Sequence, residues 1–299
     1  MQCEKITYET SNVVRIMKYL NLGCGNCYHK DWINIDLHSN DPQVLSHDLK
    51  KGIPFPEGSC DVVYHSNIIE HFQRDEALTF MKECFRVLKP GGILRVATPN
   101  LEQICRIYLD TLTVLKNGDI SRDPDYEWIL LEMYDQTVRE KSGGQMLAYL
   151  SQNPIPNEEF VLKRIGEEGR ELMRSLRGRG KRNPISYHQI NLHRLIRGAS
   201  HYFTKFRIFV LAPLLMGPQG SRAVKIGHFR LSGEVHLWMY DSYSLGKLIQ
   251  GAGFINPVER TAFDSSIPEW GLFHLDALPD GKVRKPDSFY MEALKPYSD

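Results

Sequence analysis

The chain reads as an α/β protein, a doubly wound sheet of strand–helix units with a helical insertion after residue 100. Three observations predict this. Short apolar runs alternate with polar turns and one amphipathic helix over residues 13–100, the texture of βαβ units. Residues 101–230 change to a helical period and become strongly basic. Residues 231–299 return to strand and helix signals that can complete the same sheet. The expected organisation is therefore a sheet domain of residues 1–100 and 231–299, with 101–230 as a lid, substrate region or oligomer contact.

Each element has its own signal. Residues 18–22 form a buried strand running into Gly23-Cys24-Gly25. Residues 32–36, 44–48 and 60–64 are three more short strands. Residues 74–88 are an amphipathic helix with Leu78, Met81, Phe85 and Leu88 on one face, stopped by Pro90-Gly91-Gly92. Residues 92–98 are a fifth strand, ended by Pro99-Asn100. After the insertion, residues 242–251 are a helix with Leu245, Leu248 and Ile249 inward and Asp241 as its N-cap. Residues 255–260 and 288–293 are the last strands. Ligands of such a sheet sit outside the carboxyl ends of its strands. Gly23, Gly25, Asp36, Asp48, the 66–71 segment and Asn100 all fall at those ends, so they are expected to converge on one cleft.

Bulk composition excludes several classes. The 299 residues are 42% hydrophobic and 24% charged, ample for a sizeable core. The 37 Lys and Arg against 36 Asp and Glu exclude a uniformly basic nucleic-acid binder, and no DNA partner is expected. An acidic disordered chain is excluded as well. The chain opens with no basic segment leading into an apolar run, and no stretch reaches the roughly 18–20 apolar residues that span a bilayer. A cytoplasmic protein is expected, with membrane association only at its surface. All six cysteines lie in the first 105 residues, which suits free thiols in a reducing compartment.

The glycines of Leu22-Gly23-Cys24-Gly25 follow a strand, where they let the backbone turn tightly and bring N–H groups near a ligand. A third glycine at position 28 would complete a dinucleotide fingerprint, but Tyr28 stands there. Asp36 closes the second strand, where a carboxylate can accept from both hydroxyls of a ribose. Only 13 residues separate it from Gly23, against about 20 in the usual pattern, so the first helix is cut to about a turn. Asp48 is placed to accept from an exocyclic amine. Asp61 reads as a turn or cap residue. Cys24 and Cys27 match C-x-x-C, yet they lack a second pair and fall inside the glycine turn, which disfavours redox or zinc chemistry.

Taken in order, LNLGCG at 20–25, NID at 34–36, HDL at 47–49, IPFPEGSCDVV at 53–63, NIIEHF at 67–72 and VLKPGG at 87–92 resemble class I S-adenosylmethionine-dependent methyltransferases of the type 11 group. The later segments HLWMYD at 236–241 and RKPDS at 284–288 resemble a subgroup with a short first helix, whose members modify cell-surface sugars or have no assigned substrate. The resemblance implies a Rossmann-like sheet, S-adenosylmethionine as methyl donor and S-adenosylhomocysteine as product. Carried over by position, Gly23, Cys24 and Gly25 line the methionine and ribose part of the donor. Asp36 and Leu37 hold the ribose, Asp48 and Leu49 flank the adenine, and Ser66 and Asn67 lie beside the methyl group. Residues 101–230 match no motif of the family.

Methyl transfer from a sulfonium is an in-line displacement governed by positioning. An alcohol acceptor also gives up a proton, for which histidine is the natural base. His71 is the first candidate and His236 the second, each weighed against a packed histidine. His65 reads as facing the sheet or a neighbouring helix. Asn100, Trp238 and Tyr240 are candidate substrate contacts, the two aromatics weighed against core packing. The histidines are scattered and show no metal-ligand spacing, so no metal is expected. The expected activity is O-methylation of a sugar or glycan-related small molecule. An amine or other natural-product acceptor, and an inactive methyltransferase fold that binds a partner, are the alternatives. A nicotinamide-dependent oxidoreductase is disfavoured by Tyr28 and by the VLKPGG block.

Residues 161–230 carry 15 Lys and Arg against three acidic residues, leaving 22 against 33 elsewhere. The net charge of +1 is therefore the sum of a basic insertion and an acidic sheet. The insertion is either a solvated face with an exposed loop at 177–182, or a cap that draws in an anionic or lipid-linked acceptor. The apolar run at 206–216 fits a core segment, a homodimer contact or a peripheral membrane contact.

Overall fold

The computed structural model describes residues 7–8, 15–178 and 207–297. Seven strands form one sheet: β1 (Tyr19–Leu22), β2 (Ile33–Asp36), β3 (Val44–Ser46), β4 (Cys60–Ser66), β5 (Leu88–Pro99), β6 (Ile255–Arg260) and β7 (Ser288–Leu294). Their spatial order is β3-β2-β1-β4-β5-β7-β6. β1 to β5 pair in parallel, whereas β7 runs antiparallel to both β5 and β6. The architecture is a Rossmann-like doubly wound sheet whose last two strands do complete it, making it mixed rather than parallel throughout. The strand order reverses between β1 and β4, and a ligand crevice opens at such a switch point.

One face is covered by helices. α1 (Arg74–Val87) buries Ala77, Phe80, Met81, Cys84 and Val87 on the sheet. This differs from the expected face, because the small residues Ala77 and Cys84 continue the stripe that Phe80 and Met81 define. Leu78 and Phe85 pack sideways instead. Leu78 lies along the helix that follows the insertion, and the Phe85 ring meets Phe254 edge-on at 5.1 Å. The helix stops at Val87, ahead of Pro90-Gly91-Gly92, which β5 absorbs. Gly91 lies at φ +74° there, and its N–H donates to the carbonyl of Lys295.

The insertion contributes α2 (Leu101–Lys116), α3 (Asp123–Val138), α4 (Gly144–Leu150), α5 (Glu158–Gly178) and α6 (Ala212–Arg230). Trp128, Tyr149, Leu150, Ile155, Val161 and Met173 form a small apolar core of their own. Buried Arg164 ties α5 to α3 through Glu132 at 2.6 Å and to α2 through Gln103. Most of the basic loop at 177–182 lies outside the described residues. Of the apolar run at 206–216, Leu214 and Leu215 are 80% and 78% exposed, so this part is not core. After the insertion comes α7 (Ser242–Gly251), which buries Leu245 and Ile249, with Leu248 half-buried. Asp241 caps it, its Oδ1 accepting from the Ser244 N–H at 2.7 Å. Among the described residues no helix is long and apolar enough to cross a membrane.

The other face is covered differently. No helix forms between β1 and β2; residues 23–32 are turns only. The expected shortening therefore goes to completion. Apolar side chains of a buried strand need cover on both faces, and the chain supplies it from residues 261–287. The short α8 (Trp270–Phe273) with Ile267 and Leu275 packs on Tyr19, Trp32, Val62 and Tyr64. Trp32 stacks with Tyr19 at 4.9 Å and meets Phe273 and Trp270 edge-on. Aromatic pairs in such geometry contribute about 0.5–1.5 kcal/mol each beyond burial.

Arg95 on β5 fixes this cover. Its guanidinium is fully buried, pairs with Asp276 at 2.8 Å and Glu292 at 2.7 Å, and donates to the carbonyls of Thr261 and Asp264. It lies 4.4 Å from the centre of the Trp270 ring. Tyr64 donates to the second oxygen of Asp276 at 2.6 Å. Arg95→Met would strand two buried carboxylates, so a loss of about 3–5 kcal/mol of stability is expected in urea unfolding. A loss under about 1 kcal/mol would show that the network is not what holds the cover.

Candidate active site

The glycine turn occupies the switch point. Gly23 and Gly25 take φ of +62° and +52°, a region where a side chain is strained. A methyl group on Gly23 would also fall 2.0 Å from Ile68 Cδ1, whereas one on Gly25 would meet nothing within 4 Å. The first glycine is thus required for packing, and the second faces open space. The Gly25 N–H donates to Asp36 Oδ2 at 2.8 Å, which draws the end of β2 against the turn. The second Asp36 oxygen lies 3.3 Å from the His38 N–H. A carboxylate has about four acceptor sites, so both oxygens keep capacity for a ligand.

A cleft of about 690 Å³ opens beside this turn. Gly23, Cys24, Gly25, Ser66 and Asn67 line it, whereas Asp36 is not among the lining residues. Asn67 holds the left-handed conformation at φ +53°, and its N–H donates to the Ala97 carbonyl, fixing the exit from β4. The opposite wall was not legible beforehand. It comprises Leu275, Arg284 and Lys285 from the returning chain, and Glu171, Leu172 and Ser175 from α5. The insertion therefore borders the cleft.

Other predicted residues lie elsewhere. Asp48 caps the helical turn Leu49–Lys51, its carboxylate accepting from the Lys50 N–H, and Leu49 lines a separate hollow with Phe72 and Phe80. Leu37 is 44% exposed at the end of β2. Asn100 caps α2 through the Gln103 N–H, and its own N–H donates to the Asp287 carbonyl. Tyr240 is buried in the sheet core, while Trp238 is 40% exposed beneath Arg74. These two side a second groove of about 420 Å³ with Tyr243 and Lys247. The single cleft expected from the strand ends is thus divided. The glycine turn and Ser66–Asn67 share one hollow, and the aromatic segment borders another.

The structure brings both candidate bases into contact, and neither is among the residues lining the two hollows. The rings of His71 and His236 meet edge-on at 4.8 Å. His71 follows β4 in the turn Ile69–His71, and His236 crosses it from the segment ahead of α7. The crossing is fixed by the Leu237 N–H, which donates to the Glu70 carbonyl at 2.7 Å, and by the His236 N–H, which donates to the Gln136 carbonyl of α3. Burial lowers the basicity of both rings, His236 to about 3, and each also feels the charges of Arg139 and Lys285. Both are neutral near pH 7. Glu70 completes the cluster, 1% exposed, with its carboxyl pushed up to about 7 by burial. Its place beside His71 in the chain was visible, but nothing in the sequence signals its burial. His65 is fully buried against Phe80 and belongs to the core. Asp61 is structural, accepting from the Lys18 N–H and pairing with Lys89 at 2.7 Å.

Residues 27–96, beginning just after the glycine turn and ending within β5, match a family described as a methyltransferase domain. A probable S-adenosylmethionine-dependent methyltransferase of Mycolicibacterium smegmatis is 37% identical over 98 residues, 27% of this chain and 37% of that one. A probable S-adenosylmethionine-dependent methyltransferase of Mycobacterium tuberculosis is 48% identical over 58 residues, 19% of this chain and 20% of that one. The chain thus matches well under half the length of these relatives. A Thermotoga maritima structure described as a possible histamine N-methyltransferase overlaps with 12% identity and a TM-score of 0.36, covering 95% of this chain and 84% of that one. An overlap that loose says nothing of function.

No disulfide joins Cys24, Cys27, Cys60, Cys84 or Cys105 among the described residues. Burial, helped by the Asp36 charge, pushes the Cys24 thiol up to about 12, which disfavours the thiolate at neutral pH. In native protein at pH 8, iodoacetamide is expected to label Cys105 while sparing the buried Cys24, Cys60 and Cys84. Peptide mass mapping reads this, and rapid Cys24 labelling would show that the glycine turn opens.

Proposed function

We propose that this protein is an S-adenosylmethionine-dependent methyltransferase acting on a hydroxyl of a sugar or glycan-related small molecule. The observation that carries the reading is the glycine turn at the reversal of strand order, bound to Asp36 and opening on a cleft of about 690 Å³. The match of residues 27–96 to methyltransferase domains supports it. The residues fit the donor. Gly25 leaves open space at the turn, Asp36 offers carboxylate oxygens to a ribose, and Ser66 and Asn67 stand at the end of β4, where the methyl group would lie.

When bound, the donor would supply a methyl group on a positively charged sulfur whose leaving group is a neutral thioether. The chain must hold the acceptor in line and accept its proton. Holding reactants in line is worth about 7–11 kcal/mol of barrier at best. His71, the less buried of the two, is the proton acceptor assigned in this reading, with His236 against its ring as the second candidate. A neutral amine acceptor would not need them, and their pairing favours oxygen. The groove that Trp238 and Tyr243 border is the part of the surface suited to a sugar ring. Trp238 and Tyr243 offer aromatic faces, and Arg74 and Lys247 sit over those rings at 4.6 and 5.6 Å. The Arg284 and Lys285 wall suits an acceptor carrying a negative group.

Two outcomes check this reading. Asp36→Ala is expected to raise the dissociation constant for S-adenosylmethionine roughly 10- to 100-fold in calorimetry, the value of one or two charge-assisted hydrogen bonds. Unchanged affinity would remove Asp36 from the site, and tight NAD binding without S-adenosylmethionine binding would overturn the reading itself. In a screen of labelled methyl transfer to sugars and nucleotide sugars, His71→Ala and His236→Ala should each lower turnover about 10²–10⁴-fold while donor affinity holds. If one variant keeps full turnover, the other histidine is the base.

A further inference from the structure

We propose that Glu70, His71 and His236 form a binding site for a divalent transition cation, and that such a cation competes with the methyl acceptor's proton for the same lone pairs. The first half stands on the structure alone; the second rests on the function proposed above.

One donor atom from each of the three residues lies within 4.8 Å of the others. They come from two crossing segments rather than from one exposed helix face. Glu70 and His236 are 1% and 5% exposed, and His71 is half-buried, which leaves a way in. The donors are already oriented from behind. His71 Nδ1 lies 3.1 Å from the Val235 carbonyl oxygen. A carbonyl only accepts, so Nδ1 carries the proton and Nε2 keeps its lone pair. Thr98 Oγ1 donates to Glu70 Oε2 at 3.1 Å. Partners of this kind are the usual second layer of a metal site, a backbone carbonyl behind the imidazole and a hydroxyl behind the carboxylate.

The second, independent observation is Glu70 Oε1. It is buried and has no hydrogen-bond partner among the described residues. An unsatisfied buried carboxylate oxygen is expensive, and a cation among these donors would satisfy it. Two imidazoles and one carboxylate suit Zn²⁺, Co²⁺ or Ni²⁺, with at least one position left for another ligand. Mg²⁺ and Ca²⁺ prefer oxygen donors, and Arg139 and Lys285, whose charges act on both rings, disfavour an ion held by charge alone. Donors around tetrahedral zinc sit about 3.3 Å apart, from bond lengths near 2.0–2.1 Å, so the widest pair must close by about 1.5 Å on binding. A bound ion would occupy the imidazole nitrogens that take the acceptor's proton, so the loaded protein would be inactive. The metal here is an inhibitor or regulator, not a cofactor.

The test uses full-length protein stripped by chelator and titrated with Co²⁺, read by visible absorption, with Zn²⁺ measured by competition. The expected result is one ion per chain, displaced by Zn²⁺. His71→Gln and His236→Gln should each weaken binding at least about 100-fold and Glu70→Gln about 10-fold or more, at or above the loss typical of altered metal-site residues. His38→Gln, on the exposed end of β2, should change nothing. Near-ultraviolet circular dichroism confirms that each variant is folded. Absence of stoichiometric binding, or binding that survives the paired His71→Gln and His236→Gln change, overturns the site. In the methyl-transfer assay, one equivalent of Zn²⁺ should abolish turnover and chelator should restore it. Stoichiometric binding with undiminished turnover overturns the competition and leaves the site. Stoichiometric binding in a protein that neither binds S-adenosylmethionine nor transfers methyl overturns the function proposed above and leaves the site.

Discussion

A central strand of a parallel sheet must be dry on both faces, and in this protein one of the two covers is missing from its usual place. β1 passes to β2 without a helix, which leaves Tyr19, Trp32 and Tyr64 in need of cover. The chain answers from the far end of its sequence, laying Ile267, Trp270, Phe273 and Leu275 over them. That cover has little regular backbone structure, so side chains must hold it. Arg95 does most of this by joining β5 to residues 261, 264, 276 and 292 at once. A buried guanidinium is tolerable only because every direction it points in meets an acceptor or an aromatic face.

The position of the cover decides what surrounds the cleft. The same returning segment that shields Trp32 continues into Arg284 and Lys285, which form the cleft wall facing the glycine turn. It is braced in turn by the insertion. At Gly166 α5 breaks, with φ +63°, and any side chain there would strike the Arg284 carbonyl and Pro286. Sheet, returning segment and insertion therefore meet around one hollow, and a disturbance of Arg95 would be felt at the cleft wall through residue 276, whose carbonyl receives the Arg284 N–H.

Much of this could be read in the sequence, and the gaps have physical causes. Strand positions, α7 and the Asp241 cap follow from apolar runs and capping chemistry, both of which are local. The short link from Gly23 to Asp36 announced a first helix cut to about a turn, and the structure has none there. The replacement could not be read, because nothing local marks Trp270 as the partner of Trp32 across more than 200 residues. The same holds for the buried face of α1, where Ala77 and Cys84 are too small to stand out as a stripe. In the candidate site, the glycine turn was legible because the positive φ of Gly23 and Gly25 restricts the residue types allowed there, and Asp36 because it closes a strand. His71 and His236 were named separately, but their contact is tertiary. Asp48 and Asn100 carried the right chemistry for ligands and are engaged as caps, a use that strand-end position alone does not distinguish.

The two ends of the insertion lie side by side. Asn100 and Tyr240 form a parallel β-bridge, and the Leu101 N–H donates to the Tyr240 carbonyl at 3.1 Å. Everything between them leaves and rejoins the sheet through one doorway. A loop whose ends already touch can lengthen or shorten at small entropic expense, about 0.6 kcal/mol for each doubling. Evolution can therefore redraw this region while the strands beneath keep their register. Related chains sharing the glycine turn and the His71–His236 crossing can diverge most easily between residues 101 and 234, and a chimaera exchanging that stretch keeps His236 and the Asn100–Tyr240 bridge.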